Sequence, residues 1–152
     1  MTSKTVLYVE DSATDVFFMR HAFRMLGHLV CLQVVGNGED AMGYLAGTNA
    51  FADRQQYPLP SLVLLDLKLP GKQGLEVLEW IRLQPQFQTL PVVVFSSSDL
   101  QCDRNQAQRL GVTEYIVKPG DMTIVSGLVA PLLKRFLDIE APVEPVPSAI
   151  KF

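Results

Sequence analysis

The sequence predicts an α/β fold in which five parallel strands alternate with five helices. Short apolar segments alternate with segments of helical periodicity five times along the chain, the pattern of repeated strand–helix–strand units. Several apolar segments are continuous and rich in Val and Leu, which is typical of strands covered on both faces. A length of 152 residues with 48% hydrophobic residues suits one domain with one core.

The predicted strands are the short apolar segments. The second, third and fourth are the most continuously apolar, so we expect these three to be the central strands of the sheet. The five strands are predicted at Thr5–Glu10, Leu29–Val35, Ser61–Asp66, Pro91–Ser96 and Glu114–Val117.

The predicted helices carry start and stop signals. Ser12 is a suitable N-cap for the first helix, Ala13–Leu26, and Gly27 is a suitable stop. The fifth helix should be the longest and carries an apolar stripe from Val125 onward, although Pro131 inside it predicts a bend. The three helices in between are predicted at Glu39–Leu45, Gly74–Leu83 and Gln101–Leu110.

Two segments fall outside these elements. Gly47–Pro60 is polar at its centre and is predicted to be an exposed insertion. Three prolines follow Leu137 and prevent a continued helix, so we divide the chain into a domain at residues 1–137 and a proline-spaced tail at residues 138–152.

The composition narrows the function classes. A net charge of -3, with basic residues scattered along the chain, argues against direct binding to nucleic acid. No apolar run approaches the roughly 20 residues of a membrane span, and no secretion signal follows Met1, so we expect a cytoplasmic protein without a membrane partner. Cys31 and Cys102 are expected to be free thiols in a reducing compartment.

Three carboxylates lie at predicted strand ends. Glu10 and Asp11 close the first strand, and Asp66 closes the third. Ligands of an open parallel sheet bind outside the carboxyl ends of its strands, so these acids should converge on one site. Converging carboxylates repel one another, and a hard divalent cation such as Mg2+ relieves that repulsion. The sequence therefore predicts a metal-dependent site that handles phosphoryl groups.

Three further markers follow in a fixed order. Asp66 opens the pattern Asp-x-x-x-Pro-x-x-x-Gly, which ends at Gly74 before a predicted helix. Ser96 ends the fourth strand, and the dipeptide Lys118-Pro119 follows the fifth. This order of acid pair, acid, hydroxyl and lysine resembles the receiver domain of two-component response regulators over residues 4–137. The resemblance implies a doubly wound, flavodoxin-like (βα)5 fold.

The resemblance also implies a chemistry for the site. Asp66 would accept a phosphoryl group from a histidine kinase in a Mg2+-dependent reaction. Asp11 and Asp66 would bind Mg2+ directly, the backbone carbonyl of Lys68 would add a ligand, and Glu10 would act through water. Lys118 would pair with Asp66 before the reaction and with a phosphate oxygen afterwards.

A switch is implied by the same resemblance. The Ser96 hydroxyl would donate to the new phosphate and move inward, and Tyr115 would then swing between solvent and the vacated pocket. The family often has a cis peptide bond before the proline that matches Pro119. Two simpler interpretations remain open: Ser96 could satisfy a strand-end carbonyl, and Tyr115 could be an immobile, half-buried aromatic residue.

A narrower resemblance suggests partners. The segment from Glu10 to Asp15 and the long second loop are similar to the small, stand-alone response regulators that partner phytochrome-type histidine kinases. Signalling is then expected to be protein–protein. We also expect a homodimer to which the fifth helix or the tail contributes, because the tail carries apolar residues without an obvious core to join: Ile139, Val143, Val146, Ile150 and Phe152.

Other function classes fit less well. A pseudo-receiver that binds partners without taking phosphate would not need the complete set of site residues. A haloacid-dehalogenase-like phosphatase would need a second acid where the chain has Lys68. The Gly36-x-Gly38 pattern matches a dinucleotide fingerprint, but the acids that follow would repel a pyrophosphate, so a tight turn is predicted instead. Asp15 is interpreted as a surface charge rather than a metal ligand. His21 and His28 have no metal-ligand partner at helical spacing and are given no role.

Overall fold

A computed structural model of the protein describes residues 4–27 and 29–139. Five parallel strands form one sheet in the order β2-β1-β3-β4-β5. Each predicted strand is present within one residue of its expected bounds, and the predicted fold class is confirmed. The strands are β1 (Lys4–Val9), β2 (Val30–Val35), β3 (Leu62–Leu65), β4 (Val92–Ser96) and β5 (Glu114–Val117).

The expectation that the second strand is central was wrong. Strand β2 lies at an edge of the sheet and pairs with β1 alone, from Lys4 against Val30 to Val9 against Val35. Strand β1 instead lies between β2 and β3, and its residues from Thr5 to Val9 are buried. Chain hydrophobicity reports how well a strand is covered by helices, whereas its position in the sheet depends on the direction of each crossover.

Five helices connect the strands. Ser12 caps the first helix as predicted, because its hydroxyl accepts a hydrogen bond from the backbone N–H of Asp15 at 3.3 Å. The fifth helix continues through Pro131. The first and fifth helices both have 13 residues, so the prediction that the fifth is the longest was wrong. The helices are α1 (Ala13–Met25), α2 (Gly38–Ala46), α3 (Gly74–Leu83), α4 (Gln101–Arg109) and α5 (Val125–Leu137).

The core has two layers, one on each face of the sheet. Alternate residues of a strand point to opposite faces, so Val6 and Tyr8 join one layer and Leu7 and Val9 join the other. Helices α1 and α5 cover the first layer, and α2, α3 and α4 cover the second. Among the described residues, no helix is long and apolar enough to cross a bilayer.

The segment from Gly47 to Pro60 is only partly exposed, which corrects its prediction as a plain exposed insertion. The rings of Tyr44, Phe51 and Tyr57 contact one another with centroids 5.1 to 5.8 Å apart. The Arg54 guanidinium donates to the carbonyls of Tyr44 and Leu45 at 2.7 and 2.8 Å, which satisfies carbonyls in the last turn of α2. Arg54, in the polar centre of this segment, therefore caps the C-terminal end of α2.

The folded domain extends beyond Leu137. Asp138 adopts a left-handed conformation with φ of 54°, and the N–H of Ile139 donates to the carbonyl of Leu133 at 3.2 Å. Ile139 is buried in the core layer of α1 and α5, so the expectation that it lacks a core was wrong. The other four apolar residues of the tail lie outside the described residues.

Candidate functional site

The three predicted carboxylates converge at the carboxyl ends of two neighbouring strands. Glu10 and Asp11 follow β1, and Asp66 follows β3, whose last residue is in register with Val9. The N–H of Asp66 donates to the carbonyl of Val9 at 3.1 Å, which fixes the two ends side by side. One carboxylate oxygen from each acid lies within 4.8 Å of the others.

This group fits a hard divalent cation. Glu10 and Asp66 are buried, whereas Asp11 is exposed, so the group opens to solvent at one side. Buried carboxylates at such separations repel when ionised, and oxygen ligands of this kind are those that Mg2+ prefers. Asp66 Oδ1 accepts a hydrogen bond from the N–H of Leu67 at 2.7 Å, which fixes the orientation of this carboxylate.

Lys118, which follows β5, lies beside these acids. Its N–H donates to the carbonyl of Ser96 at 2.8 Å, so the end of β4 positions this residue after β5. The Lys118 ammonium contacts Glu10 Oε1 and lies 3.2 Å from Asp66 Oδ2. The predicted pairing of Lys118 with Asp66 is therefore present.

Asp15 is also part of this site, and its interpretation as a surface charge was wrong. Its carboxylate Oδ2 lies 2.7 Å from Lys118 Nζ, and its side chain is 18% exposed. Helix α1 begins directly after the end of β1, so its first turn carries Asp15 over the carboxyl end of the sheet. The sequence predicted that Asp15 lies in that turn. It could not predict the contact with Lys118, because the two residues are 103 positions apart and no local pattern links them.

The charges at the site perturb one another. Burial raises the pKa of Glu10 to about 7, and the nearby Asp66 carboxylate adds to that rise while Lys118 opposes it. Burial would lower the pKa of Lys118, but its contacts with Asp15, Glu10 and Asp66 outweigh burial and raise it. Lys118 therefore remains a cation among acids.

Gly74 allows the loop after Asp66 to close. A Cβ atom at this position would lie 2.1 Å from the Asp66 carbonyl oxygen and 2.7 Å from the Cα of Leu67. The Gly74 N–H donates to the Leu67 carbonyl at 2.9 Å, so the start of α3 is drawn against the acid-bearing loop. The glycine of the Asp-x-x-x-Pro-x-x-x-Gly pattern is therefore required by backbone contact.

Gly38 has a similar role, which replaces the predicted tight turn. It is the first residue of α2, after the N-cap Asn37, and a Cβ there would lie 2.3 Å from the carbonyl oxygen of Lys72. Gly38, the second glycine of the apparent dinucleotide fingerprint, therefore allows α2 to lie close to the loop between β3 and α3.

Ser96 and Tyr115 are linked through a third residue. Ser96 is fully buried, and its hydroxyl oxygen accepts a hydrogen bond from the N–H of Ser98 at 3.2 Å. The half-buried Tyr115 donates its hydroxyl to the carbonyl of Ser98 at 2.8 Å. The guanidinium carbon of Arg104 lies 4.8 Å from the centre of the Tyr115 ring, close enough for a cation–π contact. Ser98 therefore touches both residues predicted to form a switch.

Three remaining predictions have different outcomes. The peptide bond before Pro119 is trans, so the implied cis bond is wrong; the trans form is the more stable one for X–Pro bonds by about 0.5–1 kcal/mol. The N–H of Lys68 lies 3.5 Å from Asp66 Oδ1, and the metal-binding role of the Lys68 carbonyl stays a prediction. His21 is exposed on α1, and His28 lies outside the described residues.

Comparisons with known proteins agree with this geometry. The response regulator receiver domain family matches residues 6–128 of the chain. Response regulator Rcp1 from Synechocystis sp. is 33% identical over 115 residues, which cover 76% of this chain and 76% of that protein.

Two solved structures show the same fold. The phosphorylated cyanobacterial phytochrome response regulator RcpA superposes with a TM-score of 0.81 at 30% identity, over 97% of this chain and 100% of that one. The Mn(2+)-bound form of response regulator Rcp1 superposes with a TM-score of 0.79 at 28% identity, over 92% of this chain and 99% of that one.

Proposed function

Because the chain belongs to the family of response regulator receiver domains, we propose that Asp66 accepts a phosphoryl group from a histidine kinase in a Mg2+-dependent reaction. The observation that supports this most directly is the constellation around Asp66. A buried carboxylate of fixed orientation lies 3.2 Å from the Lys118 ammonium and within a group of three acids that suits a cation. Receiver domains are signalling domains, and the proposal assigns no catalytic turnover to this one.

The residues have distinct roles in the proposed transfer. An Asp66 carboxylate oxygen attacks the phosphorus of a phosphohistidine, the new P–O bond forms, and the P–N bond breaks with its electron pair left on the imidazole. Asp11, Asp66 and the Lys68 carbonyl would hold Mg2+ directly and Glu10 would hold it through water. The cation would lower the repulsion between anionic donor and anionic acceptor. The Lys118 ammonium, already beside Asp66, would then pair with a phosphoryl oxygen.

Ser96 and Tyr115 would report the new charge. The Ser96 oxygen accepts a hydrogen bond from Ser98, so its own proton is available to a phosphoryl oxygen. Movement of Ser96 toward Asp66 would strain its bond to Ser98, the residue that also holds the Tyr115 hydroxyl. Tyr115 and helix α4 would then respond together, which is a two-state element biased by one covalent charge.

Intact mass spectrometry after incubation with acetyl phosphate tests the transfer. We expect one phosphoryl group on the wild-type protein with Mg2+, none with excess chelator, and none on Asp66→Asn. The carboxamide of the variant keeps the size of the side chain but is not a phosphoryl acceptor. If the folded wild-type protein takes no phosphate from acetyl phosphate or from a phosphorylated histidine kinase, the pseudo-receiver that signals by binding alone is the better function.

The proposed phosphoryl donor is a histidine kinase of the phytochrome type. The support is similarity over nearly the whole length of the phytochrome response regulator RcpA. Histidine kinases draw on cytoplasmic ATP, so the proposal also places this protein in the cytoplasm. Transfer from a phosphorylated phytochrome kinase should then be faster than transfer from unrelated histidine kinases.

The proposed homodimer can be tested with two chain lengths. Sedimentation equilibrium should show a dimer for the full chain. A chain that ends at Ile139 retains the buried end of α5, so it separates the tail from the folded domain. A monomeric short chain would assign the contact to residues 140–152, and an unchanged dimer would assign it to the domain. A full chain that stays monomeric at high concentration would contradict the proposal.

A further inference from the structure

We propose that Asp15 is a positioning residue that holds the Lys118 ammonium on the α1 side of the site. This inference rests on the proposed function, since it concerns how the lysine is kept beside the phosphoryl acceptor. Asp15 is not predicted to touch the cation or the phosphoryl group. It acts through Lys118.

The contacts of the ammonium support this role. Lys118 Nζ lies 2.7 Å from Asp15 Oδ2 and 3.2 Å from Asp66 Oδ2, so the shorter of these two contacts is the one to α1. The Lys118 side chain is 10% exposed and that of Asp15 is 18% exposed, so water screens this pair much less than it screens a surface pair.

The cation site explains why a separate partner for the lysine is needed. Glu10 and Asp66 both contact Lys118, and both also belong to the group of acids that suits a divalent cation. A cation and the ammonium therefore compete for the same two carboxylates. Asp15 contacts the lysine but is outside that acid group among the residues described. It can keep its hold on Lys118 while Glu10 and Asp66 serve the cation.

Helix α1 gives Asp15 a fixed position. Its backbone N–H donates to the Ser12 hydroxyl, so it belongs to the capped first turn of the helix, where the helix dipole favours negative charge. Asp40 provides a natural comparison, because it has the same position in the first turn of α2 and its N–H donates to the Asn37 cap at 2.7 Å. No contact from Asp40 to a lysine is found in the described part of the chain.

A double-mutant cycle tests the contact without a cation. Asp15→Asn, Lys118→Met and the double variant are unfolded with urea in excess chelator, with methionine chosen to keep the unbranched stem of lysine. We expect the unfolding constants to be non-additive by threefold or more. Asp40→Asn with Lys118→Met should be additive within about twofold. Asp15→Glu with Lys118→Met should retain the coupling, because the glutamate carboxylate can still reach the ammonium.

Wild type, Asp15→Asn, Lys118→Met and the double variant are then titrated with Mg2+ by calorimetry. With Lys118 present, Asp15→Asn frees the ammonium to compete for Glu10 and Asp66, so Mg2+ affinity should fall. In the Lys118→Met background only the charge of Asp15 is lost. We therefore expect the effect of Asp15→Asn to be at least threefold larger when Lys118 is present, a difference that a purely structural role in α1 would not produce.

A third measurement covers the case in which Lys118→Met does not fold. In metal-free protein, the side-chain NMR signal of the Lys118 ammonium should show slow proton exchange in wild type, Asp15→Glu and Asp40→Asn, and rapid exchange in Asp15→Asn. The role of Asp15 would be overturned if the effects of Asp15→Asn and Lys118→Met were additive in both urea unfolding and Mg2+ binding. An ammonium signal unchanged by Asp15→Asn would also overturn it. The metal-free measurements do not depend on phosphoryl transfer, so failure to form a phosphate adduct would refute the proposed function separately.

Discussion

Replacement of Gly74 with alanine should destabilise the protein by about 3 kcal/mol and displace Asp66, the proposed phosphoryl acceptor. The new methyl group would be fixed directly to the Cα and would lie 2.1 Å from the Asp66 carbonyl oxygen, which belongs to the backbone, so no flexible side chain can move aside. The start of α3 must therefore shift away from the loop that carries Asp66. Thermal unfolding should show a midpoint lower by about 6–12 °C, and acetyl phosphate should label the folded variant more slowly.

Gly127 supplies the matched control for this substitution. It lies within α5, and a Cβ there would meet no heavy atom within 4 Å. Gly127→Ala should raise stability by about 0.5–1 kcal/mol, because alanine is the better helix former. If Gly74→Ala proves as harmless as Gly127→Ala, the close approach of α3 to the Asp66 loop is not what requires a glycine.

The affinity for Mg2+ should fall about tenfold between pH 8 and pH 6. Burial raises the pKa of Glu10 to about 7, so this carboxyl group takes up a proton as the pH falls through that value. A cation requires the ionised carboxylate, and each pH unit below the pKa lowers the apparent affinity about tenfold. Calorimetric titrations at several pH values measure this dependence, and proton release on Mg2+ binding should be largest near pH 6.

Glu10→Gln identifies the group responsible. The ionisable groups near Glu10 are Tyr8, Asp11, Asp66 and Lys118. Lys118 stays charged throughout this pH range because its pKa is raised. The variant should bind Mg2+ more weakly than wild type at pH 8, but its affinity should change little between pH 8 and pH 6. A wild-type affinity that is constant over this range would contradict the assignment to Glu10.

The acids of the site were predictable because each is a strand-end residue. A strand pattern places Glu10, Asp11 and Asp66 at carboxyl ends, and parallel strands bring those ends to one edge. The sequence pattern of β2 could not reveal its edge position, since Leu29–Val35 is as apolar as a central strand. That position depends on the crossover through α1, which is a property of the whole chain.

The residues that escaped prediction depend on long-range contacts. Asp15 looks like an ordinary helix N-terminal acid until β5 brings Lys118 to it. Gly38 matches a nucleotide-binding pattern, and only the approach of Lys72 shows why it has no side chain. Arg54 belongs to a polar loop in the sequence, yet it satisfies carbonyls at the end of α2. In each case the partner is set by packing, which local periodicity does not encode.

The distance along the sequence between Glu10 and Lys118 has a consequence for the synthesis of the protein. The two residues are 108 positions apart, and β5, which precedes Lys118, is the last of the five strands along the chain. At about 5–20 residues per second, a ribosome makes Glu10 roughly 5 to 22 seconds before Lys118, and Asp66 roughly 3 to 10 seconds before it. Between the synthesis of Asp66 and that of Lys118, the nascent chain has the proposed acceptor but not its counter-charge. The proposed site is therefore complete only after the last strand has been made, so an unfinished chain lacks the lysine that the proposed transfer uses.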